Sequence, residues 1–125
     1  MKTTTVSILI AGALIGGAFV LTRSDTAAST ENVSIVDGRQ IVEVTAKGSY
    51  SPKLTAAKAG MPTTLRVRTD GTYDCTSIIR VPSIGYQKTL PPTGMTDIEL
   101  APQEPGAKVQ GICAMGMYNF SIKFD

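Results

Sequence analysis

The chain has 125 residues, 42% of them hydrophobic, with 12 Gly, 7 Pro, 2 Cys, 5 Met, no His and a formal charge of +2. Once an apolar N-terminal segment flanked by Lys2 and Arg23 is set aside, about one hundred residues remain, enough for a single small domain. In that remainder ten basic residues balance ten acidic ones, and a neutral domain without a basic patch interleaved with aromatics excludes nucleic acid as a partner.

From Thr3 to Thr22 the chain is uncharged and mostly apolar, and about twenty such residues in a helix cross the ~30 Å hydrocarbon layer of a bilayer. Lys2 and the α-amino group weight the N-terminal flank with positive charge, whereas Asp25 offsets Arg23, so the N-terminus should stay cytoplasmic and the domain should face outward. A cleaved signal peptide is the alternative. It would need a long hydrophobic region and the poor small-x-small site at Thr26-Ala27-Ala28, so residues 1–23 are read as a single-pass anchor in the cell membrane. The small residues Gly12 and Gly16 match a helix-pairing pattern, but such a match is incidental in an Ala/Gly-rich span, and the chain is read as a monomer. Residues 24–32 are small and polar and read as a flexible linker, with order expected from Val33 and a domain over 33–125.

Val33 to Val36 and Gln40 to Thr45 flank Asp37-Gly38, the signature of a two-residue hairpin turn. Further strand-like runs are Lys53 to Lys58, Thr63 to Arg68, Ser77 to Val81, Tyr86 to Leu90, Thr96 to Leu100, Lys108 to Ile112 and Asn119 to Phe124. Leu65 and Val67 alternate with Arg66 and Arg68, and Phe120, Ile122 and Phe124 alternate with Ser121 and Lys123, the period of two of half-buried antiparallel strands. Eight or nine short strands between breakers predict an all-β sandwich. Arg66, Arg68 and Arg80 read as part of a solvated sheet face.

Four sulfurs remain. Cys75 lies in a turn-rich stretch after Asp70-Gly71-Thr72, and Cys113, Met115 and Met117 are spaced i, i+2, i+4, which on an extended segment would direct three side chains to one side. Soft thiolate and thioether sulfur suits the soft monovalent ion Cu(I), whereas Zn2+ and Cu2+ sites usually recruit imidazole, which the chain lacks. Two thiolates would neutralise two Cu(I) ions, and two thioethers would complete coordination without adding charge. The competing reading is a structural disulfide closing an interaction domain that binds no metal, since paired cysteines in an exported chain commonly form a bridge. The adjacent methionines favour metal. Met61 and Met95 read as core or surface residues, Asp74 as a turn residue, and Tyr73 and Tyr118 as possible shields for the sulfurs. Enzyme chemistry is disfavoured: no Cys-x-x-Cys pair, histidine base, phosphate loop or carboxylate dyad is present.

Gly48-Ser49-Tyr50-Ser51-Pro52 and Lys58-Ala59-Gly60-Met61-Pro62 resemble the opening of a cupredoxin domain. With Thr69-Asp70-Gly71-Thr72-Tyr73-Asp74-Cys75-Thr76 and Cys113-Ala114-Met115-Gly116-Met117-Tyr118, the chain is similar to the CupA-type membrane-anchored Cu(I) chaperones of Gram-positive bacteria. That resemblance implies a cupredoxin-like Greek-key β-sandwich or barrel behind one N-terminal transmembrane helix, and a binuclear Cu(I) site on Cys75, Cys113, Met115 and Met117. It also implies delivery of copper to a copper-transporting P-type ATPase, contributing to copper resistance. Blue-copper electron transfer does not fit, because its two histidine ligands are missing.

Overall fold

The computed structural model describes residues 28–125, so the expected membrane helix and residues 24–27 of the expected linker lie outside the described residues. Among the described residues no helix is long and apolar enough to cross a membrane. Within the described residues ten strands form two facing sheets, an all-β sandwich. They are β1 (Val33–Val36), β2 (Arg39–Ala46), β3 (Tyr50–Ser51), β4 (Leu54–Ala57), β5 (Thr63–Thr69), β6 (Ile78–Val81), β7 (Tyr86–Thr89), β8 (Gly94–Leu100), β9 (Lys108–Cys113) and β10 (Asn119–Phe124).

The first sheet runs β1-β2-β5-β8, with β3 also on β2, and the second runs β4-β10-β9-β6-β7. Alternating burial explains the layering. Val42, Val44 and Ala46 of β2, Leu65 and Val67 of β5, and Phe120, Ile122 and Phe124 of β10 are all buried in one core. Each such Val, Leu, Ile or Phe contributes roughly 1.5–3 kcal/mol on burial, an upper figure because a real unfolded chain already hides some apolar surface. On the outer face of the first sheet Arg66 pairs with Asp97 at 2.9 Å, Arg68 with Glu43 at 2.8 Å, and Arg39 with Glu99. Arg66 and Arg68 lie on a solvated face, as their alternation suggested, and the ion pairs are a feature of the strand pairing.

Three points differ from local expectation. β2 pairs with β5, and β4 with β10, in parallel, although the period of two suggested antiparallel neighbours. Alternation reports one buried face and carries no information on strand direction. β3, only two residues long, is too short for a periodic signal. Backbone pairing also begins at Ser29, whose N–H donates to the Leu54 carbonyl at 2.9 Å, ahead of Val33. The Asp37-Gly38 turn has the positive φ angles, 52° and 76°, that the hairpin pattern calls for.

Candidate metal centre

Strand parity turns Cys113 inward. Along β9, Val109, Gly111 and Cys113 are buried while Lys108 and Gln110 are exposed, so the last residue of the strand points its sulfur into the core. Gly111 stands opposite Phe120, and a Cβ there would fall inside the Phe120 ring. The ring therefore lies over the glycine and seals the core beneath the sulfur.

Cys75 arrives from the other side. It opens a single 3-10 turn, Cys75–Ser77, whose preceding residue Asp74 accepts a hydrogen bond from the Thr76 N–H at 2.9 Å. The turn leads directly into β6, where Ile79 stands opposite Cys113. This pairing brings the two thiols together: the Cys75 thiol donates to the Cys113 sulfur with Sγ to Sγ at 3.1 Å, and both cysteines are free.

The residues after Cys113 do not continue as an extended strand. The Gly116 N–H donates to the Cys113 carbonyl, and the Cys113 N–H to the Tyr118 carbonyl, both at 3.0 Å, closing a tight loop in which Gly116 has φ 71°. A left-handed φ of this kind is readily adopted only by glycine. The i, i+2, i+4 argument for convergence thus gives way to a turn. Cys113 is fully buried, whereas Met115 and Met117 are 76% and 65% exposed on the loop above it. The structure joins the two cysteines directly and carries the two thioethers on the same loop, at the surface.

The thiols are electrostatically unequal. Burial pushes the Cys113 pKa up, but the hydrogen bond from Cys75 and the backbone N–H groups of Tyr118, Met115 and Met117 outweigh it, and the net shift is downward. The Tyr118 N–H lies 3.4 Å from the Cys113 sulfur. Cys75 moves the other way, to about 11, because its proton is held by Cys113, with burial and the neighbouring charges of Cys113 and Asp74 adding to that. The two shifts act in opposite directions across one thiol hydrogen bond, in which Cys75 donates and Cys113 accepts.

Asp74 serves as a turn residue: its carboxylate also accepts from the Thr76 hydroxyl, which leads the causes holding its pKa below the ordinary value. Tyr118 is partly buried against the core. Tyr73 is 82% exposed and covers nothing. Met95 lies on β8 opposite Arg68, and the Met61 carbonyl accepts from the Thr63 hydroxyl at the start of β5, the end away from the thiols. Among the described residues no group of three or more His, Cys, Asp or Glu side chains is arranged to hold a metal ion.

Sequence reasoning missed Tyr50. It is 1% exposed, packs edge-on against Phe120 at 5.0 Å, and its buried hydroxyl has no hydrogen-bond partner among the described residues. Burial first, then the nearby Cys113, Cys75 and Asp74, keep that phenol protonated. No feature of local sequence distinguishes it from Tyr73, which adjoins Cys75 along the chain but faces solvent.

A family model described as "Cupredoxin-like domain" matches residues 12–123. The chain belongs to that family. Among solved structures, the sandwich is similar to the metal binding domain of the Streptococcus pneumoniae D39 Cu(I) exporting P-type ATPase CopA, crystallised with Cu(I). The TM-score is 0.69 and the identity 20%, over 79% of this chain and 98% of the other. It is also similar to the solution structure of a copper binding protein in its apo form, with a TM-score of 0.68 and 21% identity over 79% of this chain and 100% of the other. At this identity the likeness establishes a shared fold. No curated protein matches the chain.

Proposed function

We propose that this cupredoxin-like domain is a Cu(I) carrier, of the CupA type, which holds copper on Cys75, Cys113, Met115 and Met117 and passes it to a copper-exporting P-type ATPase. The observation that carries the reading is the pair of free thiols 3.1 Å apart beneath a loop presenting two exposed thioethers. Copper is cargo. The loop methionines supply neutral, soft, solvent-facing donors for capture and release, and the inner cysteines supply the charge that holds the ion. Transfer proceeds by stepwise exchange of sulfur ligands, with no bond in a substrate made or broken. Two thiolates balance two Cu(I) ions, the stoichiometry we assign.

In this reading residues 1–23 anchor the chain in the cell membrane, 24–32 link anchor to domain, and 33–125 stand on the extracytoplasmic side. Tethering raises the effective concentration of carrier at a membrane-bound acceptor. The likeness of this fold to an ATPase metal binding domain supports an acceptor of similar build, and sequestration of Cu(I) accounts for a role in copper resistance.

Mass spectrometry of the reduced protein titrated with Cu(I) should show adducts up to two ions, and Cys113→Ser should remove tight binding in competition with a Cu(I) chelator. Wild-type affinity in Cys113→Ser, or a bridged protein that takes up no copper after reduction, would refute the carrier reading and favour a disulfide-closed interaction domain.

A further inference from the structure

Entry of the chain into the domain relates the sulfur end to the anchor. Ser29 forms a parallel bridge with Thr55, its N–H donating to the Leu54 carbonyl and its carbonyl accepting from the Ala56 N–H, each at 2.9 Å. Thr55 in turn lies opposite Ile122 in the parallel β4–β10 pair. Three residues back along β10 from Ile122 stands Asn119, about 10 Å away at the strand rise, where the methionine loop ends. Because the bridge is parallel, the backbone leading into Ser29 comes from the direction of Asn119. The C-terminus lies at the opposite end, where the Asp125 carbonyl accepts from the Ala59 N–H.

The reach from anchor to domain is short. Thr22, last of the apolar run, is seven peptide steps from Ser29, a span of at most about 25 Å. With the sulfur end toward the anchor, chain direction and reach agree. Turning the domain over would require the chain to double back before Ser29 and run the length of β1, which the reach permits only by taking up more than half of it. From Glu43, whose N–H donates to the Asn32 carbonyl, four residues of β2 down to Arg39 cover about 13 Å before the Asp37-Gly38 turn is counted.

Side chains at the sulfur end suit a lipid boundary. Tyr73, Met115 and Met117 are exposed apolar groups on the loops there, with Met95 and Leu54 exposed on the adjoining strand ends, and Tyr favours the headgroup level of a bilayer. On the loops of that end Lys47 and Lys53 are balanced by Asp70 and Asp74, so apolar contact rather than headgroup charge governs the approach. The rival surface is the β1 edge, where Ile35 and Val36 are exposed, which would lay the domain on its side.

We infer that in the anchored chain the end bearing Cys75, Cys113, Met115 and Met117 is turned toward the bilayer, so that copper is exchanged at the lipid surface. This orientation rests on the membrane-anchored reading above. The test uses the full-length chain, 15N-labelled, in nanodiscs of neutral phosphatidylcholine containing a lipid with a paramagnetic headgroup. Amide signals of Asp70 to Asp74 and Ala114 to Met117 should broaden several-fold more than those of Asp37, Gly38 and Gly106, at low and high salt alike. A long Gly/Ser insert between Asp25 and Thr26 should reduce the difference. The opposite pattern, or equal broadening at both ends, overturns the orientation while leaving the anchor intact. A chain that does not co-elute with the nanodiscs overturns the anchored reading, and the orientation with it.

Discussion

Replacing Tyr50 by Phe should make the copper-free domain more stable. The hydroxyl that Tyr50→Phe removes is buried and has no partner among the described residues, and a buried, unpaired polar group costs about 1–3 kcal/mol. The ring is kept, with its edge-on packing against Phe120 at 5.0 Å and 66°, so the aromatic pair retains its roughly 0.5–1.5 kcal/mol beyond simple burial. The expected gain is about 1 kcal/mol, equivalent to a rise in Tm of about 4–8 °C for a domain of this size. Thermal and urea unfolding of the reduced, copper-free protein, followed by circular dichroism, measures it. Loading should reverse the sign of the effect. A protonated phenol beside the thiols is a donor for the thiolates that copper binding creates, and a hydrogen bond to a charged acceptor is worth about 1.5–3 kcal/mol. Cu(I) affinity of the variant should therefore fall by about tenfold or more. A copper-free Tyr50→Phe protein destabilised by about 1 kcal/mol or more would refute the reasoning, because the hydroxyl would then already have a favourable partner before copper arrives.

Three further outcomes follow from the geometry. Because Cys75 holds its proton up to about 11 and copper binds thiolate, coordination by Cys75 must expel that proton. Apparent Cu(I) affinity should rise at least tenfold per pH unit between pH 6 and 9, more where Cys113 also gives up a proton, and a chelator competition giving a flat profile would show Cys75 is not a ligand. Asp74→Ala removes the carboxylate that caps the Cys75 turn, and should cost about 1 kcal/mol of stability together with a measurable loss of Cu(I) affinity, since the turn aims Cys75 at Cys113. Gly111→Ala pushes a methyl group into the Phe120 ring and should destabilise the fold by about 1–3 kcal/mol. Urea midpoints unchanged from wild type would show the ring can move aside.

Much of the architecture was open to inspection along the chain. Alternation in Thr63 to Arg68 and in Asn119 to Phe124, and the Asp37-Gly38 turn, are consequences of backbone geometry acting over a few residues, and each of these strands and the hairpin lies where that local physics puts it. The all-β sandwich and its solvated outer face follow from the same alternation. The absence of imidazole is a matter of composition and the placing of Met115 and Met117 beside Cys113 a matter of spacing, and with Cys75 they pointed to Cu(I) from the sequence.

Other features depend on contacts between residues far apart in sequence. Cys75 and Cys113 are thirty-eight positions apart, and only the pairing of β6 with β9 sets Ile79 opposite Cys113 and draws the two thiols together. Parallel pairing of β2 with β5 and of β4 with β10 leaves no local trace, because a strand's side chains alternate whichever way its neighbour runs. The loop at Ala114 to Met117 illustrates the boundary: spacing alone suggested an extended run, but the chain must reverse to bring β10 beside β9, and Gly116 provides the left-handed residue of the turn. Residue types and periodicity thus set which chemistry and which layers were available. Long-range strand pairing, whose energy comes from burying distant faces against each other, decided which sulfurs meet, how deeply each is buried, and that Tyr50 rather than Tyr73 lies inside.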